Sequence, residues 1–215
     1  KPFERARLSR LAAYTRAGVI DLLGAGKEGT TPFARLEPIP ADEIVLAADR
    51  TPVLIDLEAK KFEVYLAEEG LDAIIAERAS RGESGQRGRE RYTRYLKTLA
   101  YGAGGVSHGL AQTTIGQRLE IVLDPPSAMP HASRDLGVRV LFDNKPLAGA
   151  KLQAGRKGAA LVQTTNAEGR ATFCIPRGFV VLHLVHMRRC LNGTVSCPDA
   201  DWESFWGSFT FTVAG

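Results

Sequence analysis

A chain of 215 residues that is 44% hydrophobic can bury a proper core, in one large domain or two small ones, which excludes disorder for most of its length. Its 28 basic and 24 acidic residues leave a net charge of +4 and a pI near 9.1, an excess that attracts nucleic acid or anionic lipid only weakly. The longest apolar runs, such as Phe179 to Val185, fall well short of the roughly 20 residues that cross a bilayer, so no transmembrane segment is expected. No charged-then-apolar leader opens the chain, and its start on Lys1 leaves room for a removed leader and first strand.

From Arg5 to Val53 the pattern predicts an antiparallel sheet: Leu11 to Leu23 with a Gly18 interruption, Pro-bounded Phe33 to Ile39, and aliphatic Glu43 to Ala48. After Thr51 to Ile55 the period changes. Phe62, Tyr65, Leu66 and Glu69 recur at helical spacing with Asp56 as the expected cap, Gly70 stops that helix, and Leu71, Ile74, Ile75 and Arg78 define a second. Ser80 to Glu90, with three glycines and mixed charge, reads as a mobile loop. Arg78, Arg81, Arg87, Arg89, Arg91 and Arg94 crowd this stretch. They could form a phosphate-contacting patch, but no aromatic platform sits within the loop to stack on bases, so a solvated loop is favoured over nucleic-acid binding. Tyr92 to Tyr101 fits a helix or a strand, and a strand is favoured. The Gly-rich Gly102 to Gly109 then leads to a boundary near Gly116.

Beyond it, about seven short alternating segments separated by turns predict a β-sandwich of the immunoglobulin type. They are Leu119 to Leu123, the strand carrying Val138, Val140 and Phe142, Ala150 to Ala154, Ala160 to Thr165, Ala171 to Ile175, Phe179 to Met187 and Ser204 to Val213. Asn166-Ala167-Glu168-Gly169 reads as a tight turn with glycine at the positive-φ position. The expected architecture is therefore mainly β: a β-rich domain over 1–116, with a helical insertion at about 57–80 and a flexible loop at 80–90, then an antiparallel β-sandwich over 117–215.

Four side-chain constellations invite a chemical reading. Cys190 and Cys197 bracket an Asn-Gly turn and could pair across a hairpin, which would indicate an oxidising compartment, whereas Cys174 reads as a buried small hydrophobe. His183 and His186 lie three residues apart on one predicted strand, so alternation sends them to opposite faces; either could join His108 or His131 from loops, and Met129 and Met187 sit beside histidines. Imidazole with thioether suits copper or nickel, but the spacing is no zinc signature and the packing reading is favoured. Gly105-Val106-Ser107-His108-Gly109 matches the nucleophile-elbow letters without the preceding apolar strand or the following helix, so a hydrolase is not expected. Trp202 and Trp206 share one face of a strand or helical turn and are expected to be buried, although exposed they would hold a sugar or a partner. Asp199, Asp201 and Glu203 nearby could offer oxygens to a hard cation.

Leu57-Glu58-Ala59-Lys60-Lys61-Phe62 with Tyr65 to Leu71, Arg89 to Tyr95, Gly116 to Val122, Leu141 to Ala148, Asn166 to Ala171, His186-Met187 and Asp201 to Trp206 together resemble the bacterial family called domain of unknown function 4198. The resemblance spans nearly the whole chain. It implies export through a signal peptide to the periplasm, a transthyretin-like sandwich, and in some members company with nickel or cobalt uptake transporters. Members often begin with a His-containing strand, for which this sequence has no equivalent before Pro2. The expectation is an exported, non-enzymatic binding protein that takes nickel or cobalt, with copper less favoured, through His186, His183, His108, His131 and Met187, or that serves a metal-uptake transporter component or another envelope protein. The alternative is a structural or interaction sandwich module that binds a protein or carbohydrate partner.

Overall fold

The computed structural model describes residues 4–105, 107, 109–125, 135–155, 161–175, 178–190 and 197–213. Strands β1 (Leu8–Thr15) and β2 (Gly18–Asp21) form a hairpin, followed by the single turn α1 (Leu22–Ala25), capped by the Asp21 carboxylate. Then come β3 (Glu43–Arg50), β4 (Val53–Leu57), α2 (Ala59–Glu68), α3 (Asp72–Ser80) and the long β5 (Gly88–Tyr101). The second half adds β6 (Leu119–Leu123), β7 (Asp135–Phe142), β8 (Lys145–Pro146), β9 (Lys151–Ala154), β10 (Leu161–Thr164), β11 (Arg170–Cys174), β12 (Gly178–Arg189) and β13 (Trp202–Val213).

The mainly β, sandwich-like fold expected from the alternating pattern is what forms. A nine-stranded sheet runs β10-β9-β12-β13-β5-β3-β1-β2, with β3 and β4 end to end along one edge of β5, and a four-stranded sheet runs β11-β7-β6 with β8 on β7. Strands from both sides of residue 116 thus share one sheet, joined where β13 lies parallel to β5 over Trp202↔Glu90 to Thr210↔Thr98. Alternation divides β13 cleanly: Phe205, Phe209 and Phe211 enter the core between the sheets with Leu119, Val140, Phe173 and Leu182, while Trp202 turns to the opposite face. There it is covered by α2 and α3 through Phe62, Leu66 and Ile74.

Several local expectations change. No strand forms over 33–39, where Pro38 and neighbouring Pro32 supply no N–H to a ladder. Leu11 to Leu23 folds back on itself, with Gly18 at φ +134°. Asp56 does not cap α2; it lies in β4 and pairs with Arg87, and Glu58 begins the helix without a side-chain cap. Cys174 is exposed, because β11 turns Ala171 and Phe173 inward and so sends residue 174 out. The 80–90 segment is stitched: Arg78 is buried and donates to Glu63 and to the carbonyls of Glu83 and Gln86. The Asn166–Gly169 turn forms as expected, with Gly169 at φ +71° and so close to the Val140 carbonyl that a Cβ would sit 2.5 Å from it.

Cys190 and Cys197 are joined in a disulfide across a sequence separation of seven. Closing so short a loop stabilises by about 2–3 kcal/mol through the unfolded chain. The Cys190→Ser/Cys197→Ser double variant is expected to lose that much in urea unfolding, and an unchanged midpoint would contradict it.

Candidate functional site

The amphipathic α2 buries Phe62 and Leu66 and lays Tyr65 on the face of the large sheet, against Trp206 and Glu90. Gly70, at φ +71°, ends α2 and α3 follows, while Tyr65 sits over the junction of β5 and β13. The floor there is set by two strands in parallel register, which put Glu90, Tyr92 and Arg94 of β5 beside Trp202, Ser204 and Trp206 of β13 on one face. A cavity of about 310 Å3 opens at this junction, lined by Ile55, Leu57, Tyr65, Glu90, Tyr92, Arg94 and Trp206.

Its aromatic wall is ordered. Tyr65 and Trp206 stack with centroids 5.7 Å apart and planes 7° from parallel. The Arg94 guanidinium lies 5.3 Å from the Trp206 centroid and 5.4 Å from that of Tyr92, so it is held between two rings. At the inner end Trp206 Nε1 donates to Ser204 Oγ at 3.2 Å, Ser204 donates to Glu90 Oε1, and Tyr65 Oη donates to the same oxygen at 3.0 Å. Glu90 is fully buried, and its Oε2 has no hydrogen-bond partner. Burial pushes the Glu90 carboxyl above the usual carboxylate range, against the opposing hydrogen bonds from Ser204 and Tyr65. Burial, and then the Glu90 charge, push the Tyr65 phenol up as well.

The histidines fall on opposite faces, as alternation requires. His183 faces the helix side opposite Ser208, with Nε2 3.5 Å from Glu69 Oε2, an oxygen that is buried and has no hydrogen bond. His186 faces the core between the sheets, its ring 4.6 Å from Phe142 and 6.1 Å from Phe205. Burial and then the neighbouring Arg188 charge hold its imidazole below the ordinary histidine range. Met187 is buried among Phe62, Leu66, Ile74 and Trp202. His108, His131 and Met129 lie outside the described residues. Among the described residues no three histidine, cysteine or acidic side chains converge as a metal cage.

The remaining constellations are committed elsewhere. Asp199, Asp201 and Glu203 pair with Arg91, Arg89 and Arg188 at 2.5, 2.7 and 2.7 Å, which occupies both the proposed cation oxygens and much of the basic stretch. Before Ser107, β5 has already ended at Tyr101, and a single 3-10 turn, Leu110–Gln112, follows. Trp202 and Trp206 do share a face, Trp202 buried and Trp206 half-buried. Glu90, Tyr65, Tyr92, Arg94 and Ser204 were not singled out as a site from sequence. The alternating Glu90-x-Tyr92-x-Arg94 and Trp202-x-Ser204-x-Trp206 patterns place each set on one face, but the pairing of the two strands has no local signal.

No curated protein and no solved structure matches this chain. The family described as Domain of unknown function (DUF4198) matches residues 2–188, from the first strands through nearly all of β12. On that extent of agreement the chain belongs to the DUF4198 family.

Proposed function

We propose that this protein is an exported, non-enzymatic binding protein whose ligand site is the cleft between α2 and the nine-stranded sheet. The observation that carries the reading is Glu90, fully buried at the end of an aromatic-walled cavity with one carboxyl oxygen unpartnered. A buried polar atom left without a partner costs about 1–3 kcal/mol, and an entering ligand that supplies the contact recovers it. A concave, largely apolar lining with a few convergent polar groups is the usual form of a small-molecule site. Placement in the periplasm draws support from the Cys190–Cys197 bridge, since disulfides persist in oxidising compartments. Among the described residues no helix is long and apolar enough to cross a membrane. A thermal-shift screen of small polar metabolites tests the reading. Stabilising hits are expected to lose their effect in Trp206→Ala, and hits that are indifferent to this substitution would count against the cleft.

A second reading, a transition-metal protein accessory to a nickel or cobalt uptake transporter, is favoured by one observation: His183 and Glu69 approach each other on the rim of the helix-covered face. A carboxylate and an imidazole make two of the ligands that nickel or cobalt would need, and a third would have to come from outside this pair. Native mass spectrometry with nickel, cobalt and copper decides it. The metal reading predicts stoichiometric retention that is lost in His183→Ala and kept in His186→Ala. Retention by none of the three proteins would remove it.

A further inference from the structure

The cleft has two unlike polar ends, and together they define the ligand class; this inference rests on the reading of the cleft as a ligand site. At the inner end, Glu90 Oε1 already accepts from Tyr65 and Ser204. The Ser204 hydroxyl accepts from Trp206 Nε1, so its one hydrogen is committed to Glu90. Among the described residues no further donor is arranged for Glu90 Oε2, and Glu90 lines the cavity from which a ligand group would approach it.

At the outer end Arg94 is exposed, clasped between the Trp206 and Tyr92 rings, and paired with no carboxylate among the described residues. Its neighbours behave differently. Arg87, Arg89 and Arg91 each meet an aspartate, namely Asp56, Asp201 and Asp199. Ring stacking orients the guanidinium plane and leaves its N–H edges free, the geometry that accepts a carboxylate in bidentate fashion. Between the ends stand Tyr65, Tyr92 and Trp206, an aromatic wall in which Tyr65 stacks on Trp206 and the Arg94 cation lies over Trp206 and Tyr92.

We propose that the cleft binds a small zwitterionic amino compound, its primary ammonium donating to Glu90 Oε2 beside the aromatic wall and its carboxylate pairing with the Arg94 guanidinium. A neutral sugar would satisfy Oε2 with a hydroxyl and leave Arg94 without an anion. A simple carboxylate would do the reverse. Four residues along a strand separate the Glu90 and Arg94 α-carbons by about 13 Å, and both side chains are long, so the length of the ligand is found by titration.

The test uses the whole chain, tryptophan fluorescence and calorimetry, with glycine, β-alanine and 5-aminovalerate as zwitterions and methylamine, acetate and glucose as single-feature probes. At least one zwitterion is expected to saturate the protein at least ten-fold more tightly than methylamine or acetate. Glu90→Gln is expected to weaken it ten-fold or more, and Arg94→Met, at an exposed position, to reduce it to the methylamine level. Zwitterions binding no better than methylamine and acetate would overturn the proposal, as would wild-type affinity in both variants. Saturable glucose or acetate binding that one of these variants abolishes would overturn the ligand class while leaving the cleft as the site. If Glu90→Gln does not fold, the Arg94→Met comparison alone decides.

Discussion

Replacing Glu120 by leucine is expected to lower stability by about 3–5 kcal/mol, the usual cost of removing one partner from a buried ion pair. Glu120 is fully buried and Lys97 is 2% exposed, with Nζ 2.8 Å from Glu120 Oε1. The same carboxylate accepts the backbone N–H groups of Ile115, Gly116 and Gln117 at 2.7, 3.0 and 3.1 Å. Its loss strands an ammonium and three amides at once. Gln117 in turn donates to Asp49, which pairs with Arg10, so the damage would reach β1 and β3.

Lys97→Met is expected to cost less, because the carboxylate keeps its three backbone donors, and urea unfolding of the two variants measures the asymmetry. Lys97 also has a pH signature. Burial holds its amine below the ordinary lysine value, outweighing the attraction of Glu120. Between that lowered value and the ordinary one the unfolded chain binds the extra proton, so this group makes stability rise with pH across that window. The rise should appear in the difference between wild-type and Lys97→Met unfolding curves.

Trp202→Ala should be comparably damaging, at about 3–5 kcal/mol for a fully buried aromatic. Trp202 has no exposed surface and packs with Phe62, Leu66, Ile74 and Met187, the contacts that hold α2 and α3 to the sheet. Arg189 lies 4.3 Å over its ring and is fixed by Glu77 and Glu83 at 2.5 and 2.6 Å, so the substitution also frees a half-buried cation. Chemical denaturation should show the loss, and far-ultraviolet circular dichroism should show reduced helix. A shift under 1 kcal/mol would mean that the helices are held by other contacts. Trp206→Ala, four residues along the same strand face, is expected to act mainly on binding, since its ring is half-buried against Tyr65 and Arg94.

Sandwich, turns and disulfide are legible from sequence because each depends on near neighbours: alternation in Ser204 to Val213, the Asn-Gly spacing between the cysteines, the left-handed turn position that favours Gly169. What escapes local pattern is decided at a distance. Arg78 looks like a solvated residue until three acceptors from Glu63, Glu83 and Gln86 surround it. Cys174 looks apolar and inward, yet a one-residue choice of face exposes it. The cleft is the extreme case: its floor is two strands more than a hundred residues apart in parallel register, and neither Glu90 nor Arg94 is distinctive until that pairing forms.

The same pairing supplies an internal control, because the chain has two tryptophans and only Trp206 lines the cleft. The most direct test is therefore a titration of the indole-15N-labelled protein with glycine, β-alanine and 5-aminovalerate, following both indole N–H resonances. A saturable shift of the Trp206 signal, hydrogen-bonded to the Ser204–Glu90 chain, is expected, with Trp202 unmoved and the response lost in Glu90→Gln. A Trp206 signal that stays still across the series, or moves equally in Glu90→Gln, would contradict it.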